Sequence, residues 1–389
     1  MAQIRAFLLS SLTWLAACIV LAVPISTVAQ QPQVEKQLQR SRKLYQAIPQ
    51  WTARRAELRE GFLRGAGLWP LPDRTSVKMI AHSRRERDGY SVENVALETM
   101  PGFYCTGNLY RPLRQDRPGP GILCPHGHFR PLGRYREDQQ IRCAHFARMG
   151  ATVFSYSMVG WQDSTQTTHN DPLVLALQTW NSLRALDCRG RLVCVDPARL
   201  SSTGASGWGP QTFVCSALDD RVRASAPVVI VYPWTAPEGC LCEGGLPVMQ
   251  STETNAIELA ASVAPRAQMI ISVGAPDRTQ NFPEFGFPFI QQVYKTHDRG
   301  ENVELLHLPD EKHDFGPSKR SAVYAFFAKH LNMMLVPEET VTITIEPPEV
   351  MAVFSEAHPR PAHAIQGSTA VAKAFAALKR PDPRQRAEE

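Results

Sequence analysis

The chain has no long basic run and no arginines or lysines interleaved with aromatics, and its formal charge of +5 is scattered. A nucleic-acid surface needs the opposite pattern, so no nucleic-acid partner is expected. Paired C-x-x-C and H-x-x-x-H spacings are also missing. These are the local marks of a zinc site, and no metal is expected on spacing. Beyond the first thirty residues no segment is apolar enough to span a bilayer, so the mature protein is not expected to be membrane-embedded. There is no internal repeat, which sets repeat architectures aside.

What remains is ordinary globular composition, 43% hydrophobic and 20% charged. At 389 residues there is room for one large domain with extensions or two average ones. The start is distinctive. Arg5 precedes the apolar run AFLLSSLTWLAACIVLAV, followed by Pro24 and STVAQQ. That order of charge, apolar stretch and small residues reads as a signal peptide over residues 1–29, cut after Ala29. A membrane anchor and a lipid anchor at Cys18 (in LAAC) are the competing readings. The polar residues from Gln30 and the apolar run continuing past Cys18 favour removal and export.

Export changes the meaning of the nine cysteines, of which eight remain once Cys18 is lost. Cys188 and Cys194 form a plausible local pair, whereas Cys240 and Cys242 in CLCE are too close for an easy mutual bridge. The alternative is that several are buried thiols acting as small hydrophobes.

Residues 30–75 read as a helical extension. SVENVALETM and FYCTGNLYRP, parted by Pro101-Gly102, predict an antiparallel hairpin. GPGILCP and ATVFSYSMV are short and almost wholly apolar, as strands buried on both faces are. QQIRCAHFARM and PLVLALQTWNSLRAL carry helical spacing. VRASAPVVIVYP, AQMIISVGAP and ENVELLHLP then alternate as strands with the helices NAIELAASVAP and SAVYAFFAKHLNMML. Strand and helix in alternation predict an α/β fold with a mostly parallel sheet, and the leading hairpin points to the α/β-hydrolase arrangement over 76–336. Residues 337–389 form a C-terminal extension, in which TVTITIE suggests an edge strand and KRPDPRQRAEE a disordered end.

TGASGWGPQTF follows the strand-like ARLSST and opens a helix. A tight strand-to-helix turn would present Ser206 at the top of the sheet, with the Gly207 N–H aimed at an oxyanion. Pro210 suits the first helical turn. A serine nucleophile needs a base, itself oriented by an acid. His313, in LPDEKHDFGPSKR, and Asp277, directly after AQMIISVGAP, complete the chain order Ser, Asp, His, each in a turn after a strand. CPHGH places His126-Gly127 where a second oxyanion N–H is expected. Asp277 as a mere turn-former and His313 as a surface histidine are the plainer readings.

On CPHGH, YSMVGWQDS, TGASGWGPQTF, CLCE, GAPDRTQN and LPDEKHDFGPSKR the chain resembles exported bacterial α/β-hydrolases of the acetyl xylan esterase type, and more distantly glucuronoyl esterases and dienelactone hydrolases. The resemblance covers about Lys78 to Leu335. It implies Ser206 as nucleophile, His313 as base and Asp277 as acid, with Gly207, Gly127 and His126 at the oxyanion hole. It also implies no cofactor, and an ester-substituted polysaccharide or small ester as substrate. The sequence departs from the pattern at Trp208, where relatives carry glycine, and at Ser157, where an aspartate is expected. Glucuronoyl esterases tolerate a G-x-S-x-x-G spacing, which Gly204, Ser206 and Gly209 satisfy. They also take an acid from a glutamate earlier in the sheet, which makes Glu243 the reserve acid. Trp208 and His128 are candidate substrate contacts; equally, Trp208 fills space under the loop and His128 packs against the turn. A glucuronoyl esterase, a peptidase and a non-catalytic carbohydrate-binding domain are the rival functions. The oligomeric state stays open.

Overall fold

A computed structural model describes residues 25–188, 194–232, 240–243, 254–338 and 342–378. The apolar leader with Cys18, the tail from 379 and the side chains of Trp208 and Glu243 lie outside the described residues. Two helices lead, α1 (Ile25–Leu44) and α2 (Ile48–Gly65). Three antiparallel strands follow: β1 (Lys78–Glu86), β2 (Tyr90–Met100) and β3 (Phe103–Pro112). The turn at Pro101-Gly102 joins the last two, with Gly102 at φ +73°, a left-handed value that glycine adopts without penalty.

The parallel part comprises β4 (Gly119–Leu123), β5 (Thr152–Tyr156), β6 (Val195–Ala205), β7 (Val222–Val228), β8 (Ala267–Val273) and β9 (Val303–Leu308). The helices interleaved with them are α3 (Glu137–Arg148), α4 (Val174–Asp187), α5 (Gly209–Leu218), α6 (Ala256–Ala261), α7 (Phe282–Thr296) and α8 (Pro317–Leu331). The strand order is β1-β2-β3-β5-β4-β6-β7-β8-β9, parallel from β5 onward. This is the α/β-hydrolase arrangement that the alternating pattern predicts.

The sheet divides two cores, because successive strand residues face opposite sides. On β5, Phe154 and Tyr156 join the core formed with α1, α2, α4, α5 and α7, while Val153 joins the core formed with α3 and α8. Trp180 of α4 is 1% exposed, and its indole N–H donates to the Thr99 carbonyl of β2 at 2.9 Å. Trp180→Ala removes this packing and leaves a cavity, so unfolding in guanidinium chloride should show about 3–5 kcal/mol of lost stability. A loss below about 1 kcal/mol would mean the site collapses freely.

Two expectations change. TVTITIE forms no strand over its described residues 342–346. Gln140 of α3 takes the partner's place there: its amide donates to the Glu346 carbonyl at 2.9 Å and its oxygen accepts the Glu346 N–H at 2.8 Å. Cys188 and Cys194 are not bridged. The Cys188 sulfur faces Met79 and the Cys194 sulfur faces the Thr152 hydroxyl at 3.4 Å. The C-terminal extension also carries two helices, Pro348–Met351 and Ser368–Ala376, the second packing Val371 and Phe375 into the first core. Among the described residues no helix is long and apolar enough to cross a membrane.

Candidate active site

The carboxyl ends of parallel strands share one edge of the sheet, so the loops after them converge. Ser206 directly follows β6 and begins the one-turn helix Ser206–Trp208 that leads into α5. Its φ of +56° is left-handed, an uncommon conformation for a residue with a Cβ. A nucleophile elbow needs this backbone, since it lifts the hydroxyl clear of the strand. The crowding that calls for small neighbours is visible at Gly127: a Cβ there would lie 2.6 Å from the Ala205 carbonyl and 2.9 Å from the Ser206 Cβ. The His126-Gly127 loop after β4 therefore lies directly against the turn that holds Ser206.

Asp277 and His313 meet after β8 and β9. His313 Nδ1 donates to Asp277 Oδ2 at 2.5 Å. The other carboxylate oxygen accepts the Thr279 N–H at 2.7 Å and its hydroxyl at 2.6 Å. Burial pushes the Asp277 carboxyl up, but His313 and the two Thr279 donors outweigh it and hold the group below the ordinary aspartate value. The ionised Asp277 thus fixes the imidazole with its proton on Nδ1. Nε2 is left as the basic nitrogen.

Ser206 and His313 open into one cleft of about 460 Å³, which His128, Arg130, His169, Tyr232, Cys240 and Arg278 also line. Its walls are basic and aromatic. Arg278 donates to the Tyr232 hydroxyl at 2.9 Å, and the Arg130 guanidinium lies over the Trp161 ring at 4.9 Å. His126 does not face this space. It is 1% exposed, its Nδ1 bonds the Gly127 carbonyl at 2.9 Å, and its Nε2 accepts the Met158 N–H at 3.1 Å. Burial depresses its pKa to about 3, so the neutral ring pins the β4 loop to the β5 loop.

His128 has neighbours that its sequence position does not reveal. His169, Cys240 and Cys242 surround it, and the four ligand-type atoms lie within 4.8 Å of one another. The Cys240 thiol is held far below its usual pKa by a hydrogen bond from Cys242, against burial and with help from His128 and His169. Arg130, Arg278, His169 and this cysteine pair were not singled out as cleft residues by spacing. The only local signals for them are CLCE and the position of Arg278 beside Asp277.

Strand order, with a left-handed serine and an acid-bound histidine at one sheet edge, defines the class: an α/β-hydrolase. By sequence, no protein-family model and no curated protein matches the chain. By structure, it is similar to methylesterase BT1017 at 38% identity and a TM-score of 0.80, over 90% of this chain and 80% of that one. An acetyl xylan esterase-type protein of Bacteroides fragilis matches at 14% identity and a TM-score of 0.55, over 73% of this chain and 83% of that one. A glucuronoyl esterase of Solibacter usitatus matches at 14% identity and a TM-score of 0.54, over 73% and 94%. The last two likenesses show the fold. The first shows the family: the chain belongs to the α/β-hydrolase carbohydrate esterases, in the family of methylesterase BT1017.

Proposed function

We propose that the protein is an exported serine esterase that hydrolyses a carboxylic ester on an anionic carbohydrate, a methyl-esterified uronic acid being the substrate class favoured. The observation that carries the reading is the His313–Asp277 pair opening, with the left-handed Ser206, into one cleft. Ser206 Oγ attacks the ester carbonyl while His313 Nε2 takes its proton, and backbone N–H groups at Gly207 and the His126-Gly127 loop receive the oxyanion. His313 then returns the proton to the departing alcohol, and water releases the acid from Ser206 by the reverse route.

Two observations support a methyl ester over the acetyl ester that the sequence resemblance implies. One is the 38% identity to a methylesterase. The other is the cleft wall, where Arg130 and Arg278 supply guanidinium groups suited to neighbouring carboxylates. Action outside the cytoplasm rests on Arg5, the apolar run and the small residues before Gln30.

Hydrolysis of methyl-esterified oligouronates compared with acetylated xylo-oligosaccharides tests the substrate class. The methyl ester should be turned over faster. Arg278→Ala should lower kcat/KM for it by about tenfold more than for neutral p-nitrophenyl acetate, as loss of a charged hydrogen bond does. A preference for the acetylated sugar that Arg278→Ala leaves unchanged would return the reading to acetyl ester hydrolysis.

A further inference from the structure

His128 follows β4, His169 follows β5, and Cys240 and Cys242 follow β7, so three separate crossovers deliver two imidazoles and two sulfurs to one spot. His128 Nε2 lies 2.9 Å from His169 Nε2 and 3.2 Å from the Cys242 sulfur. A tetrahedral ion bound at about 2.0 Å to nitrogen and 2.3 Å to sulfur holds its ligands roughly 3.3–3.8 Å apart. The cluster is therefore already near the size of one ion's shell.

The surroundings are those of ligands rather than of ordinary packed side chains. His169 Nδ1 donates to the Val159 carbonyl at 2.7 Å, which fixes the tautomer that leaves Nε2 with its lone pair toward the cluster. A histidine that binds metal is commonly oriented in this way, by a carbonyl on its other nitrogen. Trp161 packs against both rings, 5.8 Å from His128 and 5.8 Å from His169, and holds them at a fixed angle. A Cβ on Gly207 would overlap the His128 ring, so that ring lies directly over the residue after the candidate nucleophile.

We propose that His128, His169, Cys240 and Cys242 bind one zinc ion, which ties the loops after β4, β5 and β7 around the turn that carries Ser206. Two thiolates and two imidazoles suit zinc, and four protein ligands leave no open coordination position. The ion is then a structural clamp that fixes His128 over Gly207, and His128 is a positioning residue. The site does not depend on which ester is hydrolysed, or on ester hydrolysis at all. Binding releases the thiol protons to solvent and involves no redox change.

The test uses the full mature chain, free of any histidine tag, dialysed and then analysed for metals. About one zinc per chain is expected. The same content is expected in Ser206→Ala, which separates the metal site from the esterase reading. Cys242→Ser and His169→Ala should lose the zinc. Because those variants can fail to fold, the wild-type chain should also be stripped and reloaded with Co²⁺ alone. An intense visible spectrum of tetrahedral cobalt with a thiolate charge-transfer band is the expected result. Absence of zinc together with no cobalt spectrum would overturn the proposal. So would peptide mass spectrometry finding Cys240 and Cys242 joined in a disulfide in the native chain.

Discussion

Ser206→Ala should lower kcat on p-nitrophenyl acetate by about a millionfold while leaving the fold intact, as loss of the nucleophile does when serine, histidine and acid act as a unit. The change deletes only a hydroxyl. Ser206 is half-buried at the cleft wall, and its left-handed φ of +56° is set by the turn. Alanine at that φ keeps the conformational cost serine already bears, so little stability should change. Equal rates for the two proteins would remove the nucleophile and with it the esterase mechanism. A steady-state assay at saturating ester, with circular dichroism to verify folding, reads both quantities.

Asp277→Asn should cost about 10⁴-fold in kcat, because an amide in place of the carboxylate stabilises the wrong imidazole tautomer. His313 Nδ1 is already committed to Asp277 at 2.5 Å, and Thr279 occupies the other carboxylate oxygen. A second acid would need that same ring nitrogen. Glu243→Gln, the substitution at the reserve acid, is therefore expected to leave kcat within a few-fold of the wild type. The opposite ranking, with Glu243→Gln the damaging change, would move the acid to the loop after β7. Both variants should be compared at saturating ester, with circular dichroism to verify that each is folded.

Much of this site was legible because its parts obey strand-end rules. Ser206, Asp277 and His313 each stand in a turn after a strand; β8 announces itself by uniform burial, whereas β6 is long and polar and its end is marked by Gly204 and Gly207 around the serine. The His128 cluster was not legible, for a geometric reason. His128 stands 41 residues from His169 and 114 from Cys242, so no local spacing marks it and only the convergence of strand ends creates it. Local metal-ligand spacing is informative when ligands share a loop or a helix, and here they come from three crossovers.

The fold shows the same division. β1 has a largely polar, half-exposed sequence at the sheet edge, and so lacks the buried residues and the Pro101-Gly102 turn that make β2 and β3 evident. α7 carries Pro283 at its start and Pro288 within it, which conceals a helix whose buried side still presents Phe282, Phe289, Ile290 and Val293 to the core. TVTITIE misleads in the other direction. Its alternation is that of a strand, yet Glu346 is spent on Arg85 and Arg87, at 3.2 and 2.7 Å, and on the side chain of Gln140. Periodicity reports which residues can be buried together; it does not report whether a strand edge is available to receive them.

Reaction of the wild-type protein with a fluorophosphonate, followed by peptide mass spectrometry, tests the central claim most directly. The reagent forms a stable adduct only on a serine whose hydroxyl is activated by a base and whose oxyanion is stabilised. A single adduct on the peptide that contains Ser206, lost in Ser206→Ala and in His313→Ala, is the predicted result. An unmodified Ser206 in folded protein, or an adduct on another serine, would contradict the account.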